Sequence, residues 1–265
     1  MPVFEWFTLV NIVVLRPVNK AKPLGNKPSV SVVVAARNEA GNIENIVKRL
    51  PAMGQEDELI LVEGNSRDNT WQEMQRAKTA YQDHNIIIAQ QKGIGKGDAV
   101  RLGFDLASKD ILMILDADLT VPPEDLPKFY RAIVENKGEF INGSRLVYTM
   151  ENQAMRFANI IGNKFFALAF SFVLNQSLKD TLCGTKVISR KNYKEIAANR
   201  HYFGDFDPFG DFDLIFGAAK LGLKIVELPI KYRARTYGDT NIQRWKHGVI
   251  LLRMLLFASR KIKFI

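Results

Sequence analysis

The sequence predicts an α/β domain built on a doubly wound, mostly parallel sheet. Three observations point to it. Four strand–loop–helix units follow one another between about residues 28 and 137. Their strands are short, β-branched and almost uncharged, as in strands buried on both faces. Each strand runs straight into a cluster of polar residues. Consecutive units of this kind imply parallel strands, because parallel neighbours need a crossover of about a dozen residues. Ligands of such sheets bind at the carboxyl ends of the strands.

The elements are read in order as follows. Val30 to Ala35 (VSVVVA) is the first strand, and Ile43, Ile46, Val47 and Leu50 then recur at helical spacing until Pro51 stops the helix. Glu58 to Val62 is the second strand, followed by a helix from Thr70 to Tyr81. Asn85 to Ala89 is the third, with a helix through Ala99, Val100, Leu102, Phe104 and Leu106. Asp110 to Leu115 is the fourth, and Pro122 and Pro123 suit the start of a helix over Glu124 to Asn136. After that the alternation fades. Short strands are expected in Glu139 to Tyr148, a long helix from Glu151 to Leu174, extended chain over Thr181 to Ser189 and a helix over Arg190 to Ala198. A helix over Leu214 to Leu221 ends at Gly222, and two strand-like pieces flank Pro229. One helix or two cover Asp239 to Lys261. This half is expected to build the wall for a second substrate on the first half's sheet.

Composition narrows the class. Seventeen Phe, three Trp and 47% hydrophobic residues exclude a disordered or fibrous chain. The single Cys183 excludes an intramolecular disulfide framework, which makes a reducing compartment the simpler assumption. From Lys220 to Ile265, eleven Lys and Arg face only Glu227 and Asp239, so this end carries the whole net charge of +9. In Ile242 to Phe264 the apolar Trp245, Val249, Ile250, Leu252, Leu255, Leu256 and Phe257 interleave with basic residues. A segment of that kind either lies on a bilayer surface or docks as a helix with a basic outer face. Val3 to Leu15 is apolar but interrupted by Glu5 and Asn11, and is shorter than the ~20 apolar residues that span a bilayer. Residues 1–28 are read as an N-terminal extension and linker, 29–237 as the catalytic domain and 238–265 as a basic amphipathic helical segment.

The chemistry lies at the strand ends. Asp116 and Asp118 flank Ala117 after an apolar strand, and alternation on an extended segment would turn both carboxylates toward one ion. Hard divalent cations take such oxygens, completed by phosphate and water, whereas the bland reading makes the pair a turn cap. Lys92, Gly93, Gly95, Lys96, Gly97 and Asp98 form a basic, flexible loop before a helix N-terminus, which favours an anion. Its spacing matches neither the dinucleotide nor the P-loop fingerprint. Glu63 and Asp68 bracket a polar loop able to read a nucleotide, and Asp68 serves equally as a helix cap. Asp205, Asp207, Asp211 and Asp213 lie among phenylalanines, where a carboxylate's pKa rises toward that of a general base. Arg233, Arg235 and Arg244 are suited to clamp a phosphate.

In order along the chain stand VSVVVAARNEAGNI, LILVEGNSRDNT, KGIGKGDAV, ILMILDADLTVPPEDL, INGSRL, LKDTLCGTKVISR, GDFDLIFGAAKLGLKIVELPIKYRART and YGDTNI. On these motifs, over about residues 29–257, the chain resembles the inverting glycosyltransferases of family 2 with their GT-A fold. More narrowly it is similar to the branch of dolichyl-phosphate mannose synthase and the polyprenyl-phosphate sugar synthases. The resemblance implies a GT-A arrangement, a Rossmann-like sheet with a nucleotide-sugar half and an acceptor half. It implies that Ala36, Arg37, Asn38 and Glu39 border the nucleotide and that Glu63, Ser66 and Asp68 occupy the next nucleotide loop. Lys96, Asp98, Asp116 and Ala117 complete that side. Asp116 and Asp118 match the metal-binding pair for Mg2+ or Mn2+, with Asp118 the direct ligand. Asp213 matches an acidic residue near metal and acceptor, and Arg233 and Arg235 would meet the acceptor phosphate.

The implied reaction moves a hexose of mannose or glucose type from a UDP- or GDP-linked sugar to a polyprenyl or dolichyl phosphate. With a hydroxyl acceptor, a sugar or glycan, Asp211 or Asp213 would act as base. The expected partners are the nucleoside-diphosphate sugar and the lipid phosphate, not nucleic acid. The expected location is the cytoplasm, peripheral at the cytoplasmic face of a membrane, alone, as an oligomer or through an anchored subunit. Two departures stand out: Gly64 replaces the second Asp of the family's usual pair, and Asn65-Ser66 replaces its Gly-Ser. These loosen the choice between uridine and guanosine.

Overall fold

Val30–Ala36 (β1) is the central strand of the computed structural model, which describes residues 27–145, 157–202, 210, 212–235, 237–238 and 244–263. Glu58–Glu63 (β2) pairs with one edge of β1 and Ile111–Ile114 (β4) with the other, both parallel, and Ile86–Gln90 (β3) continues parallel beyond β2. The β-branched run makes this position tenable. Val32 and Val34 project into one core layer and Val33 into the other, so no residue of the run wastes a face. Truncating one such fully buried side chain, Ile60 for example, removes about 2–5 kcal/mol.

Three helices cover the first face: Ala40–Arg49 (α1), Thr70–Ala80 (α2) and Leu126–Val134 (α4), the last entered through a short 3-10 turn at Pro123–Asp125. The second face is covered by Lys96–Leu106 (α3) and by helices of the later chain. These are Phe157–Leu174 (α5), Arg190–Ala198 (α6), Phe212–Lys220 (α7) and Arg244–Ala258 (α8), which runs into a π-helical turn at Ser259–Lys263.

Among the described residues the later chain builds no sheet of its own. Phe140–Ser144 (β5), Lys186–Ser189 (β6) and Ile225–Pro229 (β7) extend the existing one into seven strands ordered β3-β2-β1-β4-β6-β5-β7. Strand β6 is antiparallel to both of its neighbours and β7 is parallel to β5, so the sheet is mostly parallel as the sequence predicts. Strand order reverses at β1, between β2 and β4, which is where a doubly wound sheet opens its ligand crevice.

Details differ from the sequence reading for physical reasons. One strand forms, with Pro229 as its last residue, rather than two around it; Pro229 stands at the strand end, where its missing N–H breaks no ladder bond inside the strand. Of Thr181 to Ser189 only Lys186–Ser189 pairs, since the preceding residues turn around buried polar side chains. The apolar run Val3 to Leu15, Asp205, Asp207, Asp211, the YGDTNI stretch beyond Gly238 and the start of the long helix at Glu151 lie outside the described residues. So do the side chains of Arg244, Trp245 and Lys246.

Candidate active site

Strand β4 ends at Ile114, so Asp116 and Asp118 sit in a turn rather than on extended chain. Leu119, with φ 55°, closes that turn by donating its N–H to the Asp116 carbonyl. The alternation argument therefore does not set their direction, and their partners do. Asp116 Oδ1 accepts from Lys96 Nζ at 2.7 Å. Asp118 Oδ1 accepts from the backbone and hydroxyl of Thr120, and its Oδ2 accepts from Arg235 Nη2 at 2.8 Å. Burial works to raise the pKa of Asp116, but Lys96, and beyond it Lys186 and Arg145, outweigh burial and hold it below the usual carboxylate range. Gly184 lies directly against this carboxylate: a Cβ there would stand 2.2 Å from Oδ2.

The loops after β1, β2 and β3 close on one another at the same edge. Asn38, in the left-handed region at φ 58°, donates its N–H to Ser66 Oγ and accepts from Arg67 N through its own side chain. Asn65 Nδ2 reaches the Gly93 carbonyl at 3.2 Å, and Asp98 holds the glycine loop by accepting from Gly93 N. Glu63 is buried, with its oxygens taken by Ser66 N and Gln90 Nε2. Burial would raise it, yet these bonds keep it below the usual range. Its role in the fold is to shape the loop. Asp68 does more than cap one helix. It accepts from Thr70 N at the start of α2 and from Ala40 N at the start of α1, satisfying an orphan amide of each. Arg37 is exposed and Ala36 is buried, its carbonyl accepting from Gly64 N.

Residues 231–235, and Tyr237 after them, fold back across this edge. Arg235 bridges Glu39 Oε1 at 3.0 Å and Asp118 Oδ2, joining the first loop to the fourth across nearly two hundred residues of chain. Glu39 is buried. Burial raises its pKa, and Arg235 and Asn42 counter that only in part. Tyr237 packs its ring on Gly41. Arg233 is exposed, and its backbone N–H is held by the Thr120 carbonyl.

Asp213, in the first turn of α7, is 4% exposed and faces Arg101 Nε at 3.2 Å and Arg200 Nε at 3.5 Å. Burial raises its pKa against the pull of both arginines; of the phenylalanines near it in sequence, Phe203, Phe206 and Phe209 lie outside the described residues. Gly210, at φ 70°, comes so near Gly97 that a Cβ would lie 2.5 Å from its Cα, which sets this glycine against the start of α3.

Sequence reasoning assigned no role to a buried charged layer beneath the carboxylates. Arg145 grips Asp180 through two parallel bonds of 2.7 and 2.8 Å, and Lys186, fully buried, donates to the Cys183 carbonyl. Burial pushes the Cys183 thiol up to about 12, so it is inert at neutral pH. The available signal was a lysine in the uncharged run before Val187 and Ile188, which must bury its charge with partners.

Oxygen ligands suit this edge to a hard divalent cation. Among the described residues no group of three or more His, Cys, Asp or Glu is arranged to hold a metal, so two carboxylates would need substrate phosphate and water to complete a shell. That is the donor set such a cation takes at a nucleotide, and the carboxylate of Asp116 packed on Gly184 provides a fixed wall for it.

The chain is similar to known proteins in sequence and in fold. The chain is 27% identical over 220 residues to the dolichol-phosphate mannosyltransferase of Pyrococcus furiosus, covering 81% of this chain and 59% of that protein. It is 26% identical over 215 residues to the undecaprenyl-phosphate 4-deoxy-4-formamido-L-arabinose transferase of Proteus mirabilis, covering 80% and 62%. The chain thus spans about six-tenths of the length of the curated relatives it matches. Among solved structures it resembles glucosyl-3-phosphoglycerate synthase from Mycobacterium tuberculosis in complex with Mn2+, UDP and glucosyl-3-phosphoglycerate. That match has a TM-score of 0.63 and 17% identity, and covers 89% of this chain and 80% of that one. A second structure of the same enzyme, in complex with Mn2+ and UDP-glucose, matches with a TM-score of 0.62, 18% identity and coverage of 89% and 79%. The fold is that of the GT-A glycosyltransferases. The model for "Glycosyl transferase family 2" matches residues 31–197, and with the sheet, its crevice and the turn of Asp116 and Asp118 in place, the chain belongs to that family.

Proposed function

We propose that this protein is an inverting glycosyltransferase that moves a hexose of mannose or glucose type from a UDP- or GDP-linked sugar to a polyprenyl or dolichyl phosphate. One observation carries the reading: four strand-end loops meet at a turn whose two carboxylates are each held by a cation, Lys96 on Asp116 and Arg235 on Asp118. The relatives named for dolichol phosphate and undecaprenyl phosphate support the acceptor class.

In this reading Ala36 to Glu39, Glu63 and Asp68 border the base and ribose, and the glycine loop with Lys96 and Asp98 faces the diphosphate. Asp118, oriented with Asp116, would hold Mg2+ or Mn2+, which when bound neutralises charge on the departing diphosphate. Arg235 stands between Glu39 and Asp118, so it links nucleotide binding to the carboxylate turn. Arg233, exposed beside it, meets the acceptor phosphate. A lipid phosphate is already ionised near neutral pH, so attack requires little proton abstraction.

A second reading, transfer to a sugar or glycan hydroxyl, would need a base. The raised pKa of Asp213 favours it, but Arg101 and Arg200 hold that carboxylate in an ion pair, which supports the phosphate acceptor instead. An acceptor lipid puts the protein at the cytoplasmic face of a membrane in peripheral contact; no described helix is long and apolar enough to cross one.

The test is product analysis. Purified protein is given UDP- or GDP-hexoses and Mg2+ or Mn2+, with either a polyprenyl phosphate or a glycan. Glycosyl transfer to the phosphate alone is expected. Transfer only to hydroxyl acceptors would establish the second reading, and no transfer from any nucleotide sugar would reject both.

A further inference from the structure

Helices α5 and α8 each expose a stripe of large apolar side chains. On α5 these are Phe165, Leu168 and Phe172, and on α8 Val249, Leu252 and Leu256, in both cases at i, i+3 and i+7. Leu168 is 75% exposed and Leu256 59%. The opposite faces, Phe170 and Val173 on one helix and Leu251, Met254 and Ala258 on the other, are buried in the same core layer, and the two helices pack together. The stripes therefore lie side by side on the surface turned away from the sheet. Soluble monomers seldom leave so many large apolar side chains together in water without a use for them.

Charge identifies the occupant. Neither helix, nor the turn after α8, contains an Asp or a Glu, while Lys164, Arg253, Arg260 and Lys261 are all exposed on them. A second copy docking by two-fold symmetry would set these cations against their own counterparts. An anionic lipid surface takes both features at once, accepting the apolar side chains at the acyl boundary and the basic ones at the headgroups.

We propose that the joined outer face of α5 and α8 docks on an anionic bilayer surface. The inference deepens the lipid-phosphate reading and rests on it for its biological sense. It places membrane contact on a two-helix platform rather than on the C-terminal segment alone. The platform is coupled to the acceptor half: Phe170, on the buried side of α5, packs against Phe212 and Phe216 of α7 with ring centres 5.1 and 5.8 Å apart, and α7 carries Asp213.

The test uses the full chain with vesicles of phosphatidylcholine alone or mixed with phosphatidylglycerol, read by sedimentation. The wild-type protein should bind the anionic vesicles at least about tenfold more tightly than the neutral ones. The double variant L168E/L252E should lose about tenfold or more of that affinity while keeping the wild-type melting temperature. R253E/R260E, which keeps the apolar stripes, should lose its preference for anionic vesicles. Failure of wild type to bind either vesicle, or equal binding by wild type and L168E/L252E, would overturn the proposal. So would light scattering that shows L168E/L252E dissociating a dimer with vesicle affinity unchanged. Transfer to soluble geranyl phosphate separates the two readings. L168E/L252E should retain it; if the vesicle pattern holds but wild type transfers nothing to any polyprenyl phosphate, the docking face stands and the proposed acceptor falls.

Discussion

Gly184→Ala is the sharpest single perturbation of the site, because it adds one methyl at a place where the structure leaves none. The new Cβ would stand 2.2 and 2.3 Å from the two carboxylate oxygens of Asp116 and 2.5 Å from its Cγ. Ordinary van der Waals contact begins at 3.4 Å, so the carboxylate must withdraw by about 1 Å. It cannot do so freely, since Lys96 holds Oδ1 at 2.7 Å. The backbone of residue 184 is not in the left-handed region, so alanine strains no dihedral and the cost is local overpacking of about 1–3 kcal/mol. A 1 Å displacement of a group that positions the reacting centre costs about a hundredfold in rate. Turnover with a nucleotide sugar should therefore fall by about that factor while far-UV dichroism shows an intact fold. Because the effect runs through Asp116, adding G184A to D116A should change little further. A G184A protein with the wild-type rate, or one whose loss simply multiplies that of D116A, would refute the reasoning.

Other consequences follow from the same contacts. Asp118→Asn keeps the shape of the turn but removes the charge facing Arg235 and a metal; turnover should drop by about a thousandfold or more, measured at saturating Mn2+. Asp180→Asn leaves Arg145 buried without its bidentate partner and should cost about 3–5 kcal/mol in denaturant unfolding. Burial would raise the pKa of Asp180, but Arg145 outweighs it and holds the folded value below the unfolded one. The stability from that pair is therefore present above the unfolded value of about 3.9 and is lost as pH falls through the folded one. Urea titrations below about pH 4 should show a steeper acid loss for wild type than for D180N.

What could be read from the sequence was what depends on near neighbours. Val30 to Ala36 declares a buried strand because no alternative suits an uncharged β-branched run, and the crossover rule then orders the first four strands. The rule for ligands at strand ends found Asn38, Asn65, Gly93, Asp116 and Asp118 as one edge, and the hydrogen bonds between those loops place them there. The resemblance supplied the GT-A arrangement that local patterning alone leaves open. Contacts between distant segments were beyond such reasoning. Nothing near Arg235 says that it bridges Glu39 and Asp118, and nothing near Gly184 says that it is a wall for Asp116. The turn at Asp116 to Leu119 was misread as extended because the apolar run continues through Leu115, one residue past the last paired position. Lys186 was passed over because a lone lysine in an extended stretch usually points to solvent, and only the packing of β6 between β4 and β5 buries it.

The central claim is that Asp116 and Asp118 hold a divalent cation against a nucleoside diphosphate. Electron paramagnetic resonance of Mn2+ titrated with the protein tests it directly, with UDP or GDP present or absent. The account predicts that one of these nucleotides sharply increases Mn2+ capture by the wild-type chain and that D118N abolishes the increase. Capture that is indifferent to both nucleotides, or that survives intact in D118N, would contradict it.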